Sequence, residues 1–435
     1  MEHQAKKAAF YTLGCKLNFS ETSTLAREFE QAGIVRAARS ETADVCVVNT
    51  CSVTEHSDKK CRNIIRKIVR ENPGAIVAVT GCYAQLRPAD VAAIEGVDLV
   101  IGNNEKGSLP ERVRRLSGKG RAAAVHTCDA EELTSFFAAF SSGDRTRAFL
   151  KVQDGCDYRC SYCTIPLARG GSRNIFVKEL VTEADQIARG GQKEIVVTGI
   201  NTGDFGRTTG ESFLDLLRAL DEVKGIERYR ISSIEPNLLT DEIIAFTAAS
   251  EKFQPHFHVP LQSGSDRILS LMRRRYTTAA FADRIAAVRR MMPDAFLGID
   301  VIVGFPGETE TDFEETFRFL ERVEPAFIHV FPYSVRPNTP AAAMPDKVAP
   351  QVAAKRVARL MALSESNHRH FIERFSEQET DVLFEGFRKG GAMFGYTGNY
   401  IRVEAPCLRE AINTIRRVRL GSIVGYTHAE GVVLA

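Results

Sequence analysis

The sequence predicts an α/β protein in three parts: an N-terminal parallel α/β domain, an open (β/α)6 partial barrel and a small C-terminal β-barrel. Three observations predict it. Apolar runs near 8–13, 44–49, 75–80 and 97–101 alternate with helical segments near 20–33, 57–70 and 88–94, the layout of a parallel sheet. Six strand candidates follow at 149–153, 194–198, 228–232, 256–259, 297–303 and 327–331, with intervals long enough for crossover helices. Near the C-terminus the runs shorten to D-V-L-F-E, Y-I-R-V and S-I-V-G-Y-T among closely spaced glycines, as in a small antiparallel barrel or sandwich. The expected domains are 6–105, 145–370 and 372–435. Residues 103–145 are less regular and are expected to join the first two, and 347–371 reads as a long helix leading outward.

Composition narrows the class. A chain of 435 residues has room for about three domains of roughly 150 residues. Net charge is only +2, so any nucleic-acid surface must be a local patch. No apolar run reaches the roughly 18 residues of a membrane span, and the N-terminus lacks the apolar stretch of a signal peptide. Ten cysteines without an export signal point to a reducing, cytoplasmic setting, where they serve as ligands or buried thiols.

Cys15, Cys51 and Cys82 lie just past the first three N-terminal strands, in T-L-G-C-K-L-N, V-N-T-C-S-V-T and V-T-G-C-Y-A-Q. The strand ends of a parallel sheet share one edge, so these distant cysteines are expected to be neighbours. Three thiolates there suit an iron–sulfur cluster; the alternative is three unrelated core thiols, which better describes Cys46 and Cys61. Cys128 and Cys407 stand alone.

In the barrel, Cys156, Cys160 and Cys163 follow the first strand as G-C-D-Y-R-C-S-Y-C. Three thiolates hold three irons of a [4Fe-4S] cubane and leave the fourth iron open to a reagent. A structural zinc site is the alternative, but zinc needs a fourth ligand, and only Cys128 and His126 upstream or His256 downstream are near in sequence. Tyr162 is placed to cover the cluster. The other strand ends carry T-G-I-N with Thr198 and Gly199, I-S-S-I-E-P with Ser233 and Glu235, and H-V-P-L-Q-S-G-S with Gln262 and Ser263. Asp300 lies within an apolar strand, and Arg273, Arg274 and Arg275 follow an L-S-L-M helix end. Barrel chemistry collects at these C-terminal loops.

Cys-x3-Cys-x2-Cys after a first barrel strand resembles the radical S-adenosylmethionine superfamily. That resemblance implies that the open iron binds S-adenosylmethionine and that its reductive cleavage yields a 5′-deoxyadenosyl radical. Tyr162, Thr198, Gly199, Ser233, Glu235, Gln262, Ser263, Arg275 and Asp300 are then the candidates for holding S-adenosylmethionine. The chain as a whole resembles the methylthiotransferases, with a C-terminal domain like TRAM. G-C-K-L-N at 14–18 resembles the branch acting on N6-threonylcarbamoyladenosine in tRNA, where the isopentenyladenosine branch usually has G-C-Q-M-N and the ribosomal-protein branch G-C-P-K-N. R-P-N-T-P-A at 336–341 fits the same branch, with Asn338 replacing a usual glycine.

The resemblance implies two [4Fe-4S] clusters, one on Cys156, Cys160 and Cys163 and an auxiliary one on Cys15, Cys51 and Cys82. It implies hydrogen abstraction from C2 of an anticodon-loop adenosine, sulfur insertion there, and methylation by a second S-adenosylmethionine. Expected partners are the tRNA anticodon loop, an electron donor such as flavodoxin or ferredoxin, and an unidentified sulfur donor; a monomer is expected. The competing readings are the ribosomal-protein enzyme of the same family and a non-catalytic iron–sulfur RNA-binding protein. For RNA, K-K-C-R-N-I-I-R-K-I-V-R at 59–70 predicts a helix with a cationic solvent side. The C-terminal domain offers Arg388, Lys389, Arg402, Arg416, Arg417 and Arg419, with Phe394, Tyr396 and Tyr400 as stacking or core residues.

Overall fold

The computed structural model describes residues 6–434 apart from 39, 40, 117, 120, 121, 144, 389, 390 and 426; Lys389 is therefore outside the described residues, as is the side chain of Arg388. The N-terminal sheet is parallel throughout, in the order Val35–Arg36, Lys7–Thr12, Val45–Thr50, Ile76–Gly81, Leu99–Ile101, Ala124–His126. Every residue of the two central strands is buried, as a sheet covered on both faces requires. Helix Lys16–Gln31 covers one face through Leu25 and Phe29, and helix Glu55–Glu71 covers the other through Cys61, Ile65 and Ile68. Thr54 caps the second helix, accepting from Ser57 N at 3.1 Å, with Glu55 and Asp58 in its first turn. The opposite side of that helix exposes Lys59, Lys60, Arg66, Lys67 and Arg70. The sheet continues past residue 105: helix Leu109–Arg115 crosses over and Ala124–His126 adds an edge strand. Three residues were too short a run to register as a strand.

The second domain has six parallel strands among the described residues: Arg147–Lys151, Glu194–Thr198, Arg228–Ile231, His256–His258, Phe296–Val303 and Phe327–Pro332. Its ladder breaks between the third and fourth, which are linked by the isolated pairs Tyr229↔Phe253 and Ser233↔His258. Ala139–Phe140, ahead of the expected start at 145, pairs antiparallel on the outer edge. One face of each strand packs outward on the helices, through Leu150, Val197, Ile231, Phe257 and Ile299. The alternation of a strand puts Arg147, Lys151, Glu194, Arg230, His258, Asp300 and His329 on the other face. The lumen is therefore polar.

Helix Pro350–Glu373 does not lead outward. Ser364 Oγ accepts from Ile328 N at 2.9 Å and bonds Ile328 O at 3.1 Å, so the helix covers the last strand of the barrel. An open sheet edge needs such a cover.

The C-terminal strands Glu379–Arg388, Ala392–Thr397, Arg402–Pro406, His428–Val433 and Ile415–Val424 close into a barrel in that order around Val382, Phe384, Met393, Val403 and Val418. It is not wholly antiparallel: Arg402–Pro406 and His428–Val433 pair in parallel. This small barrel docks where the large barrel's strands begin. Arg228 donates to Tyr396 O at 3.1 Å and Asp381 O at 2.9 Å, and Arg230 to Gly398 O at 2.6 Å and Thr397 O at 2.7 Å. Tyr396 and Tyr400 stack at 4.8 Å beneath Arg147, half-buried in this joint; Phe394 lies under Arg402 at 4.4 Å. No helix among the described residues is long and apolar enough to cross a membrane.

Candidate active site

Cys156, Cys160 and Cys163 sit on one loop pinned at its base. Gly155, at φ +69°, lies so close to Gly171 that a Cβ would come within 1.9 Å of its carbonyl oxygen, so only glycine fits. Cys156 N donates to Gly170 O at 3.0 Å, and Asp154 pairs with Arg173 across the same base. The sulfurs receive donors: Tyr158 N to Cys156 and Ile165 N to Cys163, both at 3.4 Å, and Arg274 Nη1 to Cys160 at 3.1 Å. Burial pushes the Cys156 and Cys163 thiols up to about 12, and the neighbouring cysteines add to the shift. Clustered, buried thiols become thiolates only when a cationic centre replaces their protons. The donor set therefore fits an iron–sulfur cluster.

Cys15, Cys51 and Cys82 come together from three loops. Cys15 precedes helix Lys16–Gln31, Cys51 follows strand Val45–Thr50, and Cys82 opens the short helix Cys82–Leu86. Two glycines permit the closeness. A Cβ on Gly14 would lie 2.5 Å from Cys51 Cβ, and one on Gly81 would lie 2.4 Å from Thr50 O. Burial pushes the Cys51 thiol up to about 12, with Cys82 and Cys15 contributing. Cys15 is also raised by burial, against the pull of Arg169. These are the same conditions that fit a metal centre at the first trio.

A buried charge network joins the two trios. Arg169 ends the helix Ile165–Arg169 that follows Cys163. It donates to Glu21 Oε1 and Asp154 Oδ1, each at 2.9 Å, and to Asn18 Oδ1 at 2.7 Å. Asn18 donates to Leu13 O at 2.8 Å and Thr50 O at 2.9 Å, bracketing Cys15 and Cys51, and its Oδ1 lies 3.7 Å from Cys15 Sγ. Lys151 and Lys106 also bond Glu21. Despite burial, these cations hold Glu21 well below the usual carboxylate range. Arg336 makes a second bridge, donating to Ser52 Oγ at 2.7 Å and Asp58 Oδ2 at 2.9 Å, directly after Cys51. Beside the first trio lies a cavity of about 260 Å3 lined by Tyr162, Cys163, Gln262, Asp300 and Arg336, to which the loop after Cys51 adds Val53 and Thr54.

The candidates around the barrel rim divide. Tyr162, Gln262 and Asp300 reach the cavity. Glu235 accepts from Arg274 beside Cys160, and burial raises its carboxyl despite that arginine. Ser233 is half-buried, and its carbonyl accepts from Thr202 N at 3.2 Å. Gly199 packs against Gln153, whose Oε1 accepts from Ile200 N and Asn201 N, so it shapes the loop. Thr198 and Ser263 turn inward instead. Thr198 Oγ1 donates to Val196 O at 3.0 Å, and Ser263 Oγ accepts from Ser265 N at 3.2 Å in a buried turn. Arg275 is exposed, lying over Tyr158 at 3.9 Å and donating to Asp157 O. Arg274 is the arginine that faces the cysteines. The sequence named Arg274 within the 273–275 run but favoured Arg275, and it missed Asn18, Glu21, Arg169, His258 and His329. Charged residues at alternate positions of apolar strands, as in R-A-F-L-K and R-Y-R-I, were the available signal.

The fold and the three-cysteine loop define a radical S-adenosylmethionine enzyme. Residues 150–320 match the Radical SAM superfamily, and residues 7–102 match the uncharacterized protein family UPF0004. Over 434 residues the chain is 41% identical to the threonylcarbamoyladenosine tRNA methylthiotransferase MtaB of Bacillus subtilis (strain 168), covering 97% of this chain and 95% of that one. The Aquifex aeolicus (strain VF5) protein of the same name is 38% identical, covering 87% and 92%. A tRNA-2-methylthio-N(6)-dimethylallyladenosine synthase of Thermobifida fusca (strain YX) is 36% identical, covering 87% and 78%. The chain belongs to the radical S-adenosylmethionine methylthiotransferase family. It is an enzyme that uses S-adenosylmethionine and a [4Fe-4S] cluster. The radical S-adenosylmethionine methyltransferase TsrM of Kitasatospora setae shares the fold, with a TM-score of 0.57 at 15% identity, covering 78% of this chain and 77% of that one.

Proposed function

We propose that this chain converts N6-threonylcarbamoyladenosine in tRNA to its 2-methylthio derivative. The observation that carries the reading is that Arg169, through Asn18 and Glu21, and Arg336, through Ser52, tie the loops of both cysteine trios together beside a cavity of about 260 Å3 lined by Cys163. The 41% identity to the Bacillus subtilis MtaB protein supports the choice of base. In this reading Cys156, Cys160 and Cys163 hold the radical cluster, and Cys15, Cys51 and Cys82 hold a second [4Fe-4S] cluster. When bound, the clusters and S-adenosylmethionine supply one-electron reduction, a hydrogen-abstracting radical, sulfur and a methyl group for C2 of the adenine.

The chain's own residues fix the geometry. Arg274 donates to Cys160 and Glu235 and lies 3.5 Å from the Tyr162 hydroxyl, so it orders the loop beside the first trio. Arg336 fastens the turn after Cys51 to the barrel rim. Arg169 and Asn18 fix the spacing between the trios. Reacting groups held at one separation replace a rare encounter by a positioned one. Tyr162 and Tyr333 wall the cavity, each packed edge-on against the buried Phe305, and give it an apolar side. Gln262 and Asp300 are its polar contacts for S-adenosylmethionine or base.

The anticodon loop is the proposed partner, with the exposed cationic side of helix Glu55–Glu71 among its phosphate contacts. A flavodoxin or ferredoxin is the proposed electron donor to a cytoplasmic, monomeric enzyme. Nucleoside mass spectrometry of tRNA from cells with and without the gene tests the reading. Loss of the methylthio nucleoside with accumulation of N6-threonylcarbamoyladenosine is expected. Loss of a methylthio-dimethylallyl nucleoside instead assigns the chain to the other tRNA branch, and an unchanged profile overturns the proposal.

A further inference from the structure

We infer that the cavity beside Cys15 is a second entrance, through which hydrosulfide reaches the second cysteine trio while the substrate cavity is filled. The inference deepens the proposed function and rests on its second cluster. Cys51 and Cys82 are buried, whereas Cys15 is exposed. Cys15 lies in the wall of a cavity of about 490 Å3, which shares no lining residue with the cavity of about 260 Å3 beside Cys163. In the proposed function S-adenosylmethionine and the base occupy the smaller cavity, so a reagent for the second trio needs another path.

Both domains build this entrance. Lys16, Phe19, Thr22 and Ser23 recur at helical spacing on helix Lys16–Gln31 and form one wall. The start of the barrel adds Arg145 and Phe149. Phe149 meets the Phe19 ring edge-on at 5.7 Å, and Arg145 lies over the same ring at 4.3 Å. The exposed residues Arg36, Ala38 and Glu41 also line the cavity, which therefore runs from the surface to Cys15.

Its charge selects an anion. Among the described residues three cations line it, Lys16, Arg36 and Arg145, against one carboxylate, Glu41. Glu41 is already paired with Lys7 at 2.9 Å and accepts from Ala38 N at 3.0 Å. Arg145 has no carboxylate partner among the described residues. A recess lined by one sign of charge concentrates the opposite ion and speeds its arrival by about tenfold to a thousandfold. Hydrosulfide is a small anion and a soft sulfur donor of the kind that iron–sulfur centres accept. On binding it donates an electron pair to iron and keeps its proton, and no electron is transferred.

Radiolabelled hydrosulfide tests the entrance. Anaerobic holoenzyme is loaded with S-adenosylmethionine and an anticodon stem-loop carrying N6-threonylcarbamoyladenosine, without reductant, and mixed with the label. Label retained after rapid desalting is followed in time and expressed per iron, so that loss of a cluster does not count as slow entry. Wild type is expected to take up label at the same rate with and without the stem-loop. Arg145→Glu should slow uptake by about tenfold at low salt, and added salt should shrink the difference, as it does for steering but not for a blocked passage. Arg145→Lys should keep the wild-type rate. Uptake that stops when the stem-loop is bound assigns entry to the substrate cavity and overturns the inference. An Arg145→Glu enzyme that takes up label at the wild-type rate overturns it as well. So does one whose defect is weaker stem-loop binding alone, which assigns the cation to an RNA phosphate. Cys51→Ala should retain no label; retention equal to wild type overturns the second-cluster reading, and the inference with it.

Discussion

The two cysteine trios are assembled by opposite routes. Cys156, Cys160 and Cys163 lie within one loop, and its shape depends on a local pinch between Gly155 and Gly171. Cys15, Cys51 and Cys82 lie on three loops and meet only because Lys7–Thr12, Val45–Thr50 and Ile76–Gly81 run parallel and in register. The first trio is a property of a short sequence. The second is a property of a sheet, so damage to sheet packing threatens it alone. Damage to the interface between the domains threatens the spacing of both.

The sharpest test of this contrast removes one ligand from each side. Cys160→Ala should abolish both 5′-deoxyadenosine formation and methylthio product, measured by chromatography after anaerobic reduction. Cys51→Ala should lose the methylthio product but keep 5′-deoxyadenosine formation, with iron content falling to about half. Normal methylthio product from Cys51→Ala would end the distinction between the trios.

The interface comes next. Arg169→Met leaves Glu21 and Asp154 short of a cation in a buried setting, a loss worth about 3–5 kcal/mol in urea unfolding. The sign with pH is set by the depressed Glu21 carboxyl. The network's contribution is complete above the ordinary carboxylate range and is lost as pH falls through the depressed value.

The smallest effect is at the far end of the same interface. Burial raises Glu183 from 4.5 to about 7, against the nearby Arg27 of helix Lys16–Gln31. Its folded form holds a proton that the unfolded chain releases, so stability falls as pH rises from about 4.5 to 7. Glu183→Gln should add about 1–2 kcal/mol above that window and nothing below it, read from melting curves at several pH values. An equal gain at all pH values would mean that packing, not charge, is the cause.

The positions of both trios were legible because strand ends in a parallel α/β pattern share an edge and because Cys-x3-Cys-x2-Cys is a local signal. The arginine at the first trio was not. Helix Asp266–Leu271 stops, Arg273 takes a left-handed φ of +57°, and the chain turns so that Arg274 faces Cys160 while Arg275 faces Tyr158. Helical periodicity carries no information through such a turn. The Glu21–Lys106–Lys151–Asp154–Arg169 network was also hidden, because it joins elements far apart in sequence. The parallel pairing inside the C-terminal barrel was missed because short strands of regular spacing read alike in either direction.

The joint between the two barrels has a consequence for how this family can diverge. Arg228 and Arg230 hold on to carbonyl oxygens of Asp381, Tyr396, Thr397 and Gly398 rather than to their side chains. Every amino acid supplies a carbonyl, so the acceptors survive nearly any substitution at those four positions. The small barrel can therefore change its outer coat without coming loose from the catalytic body.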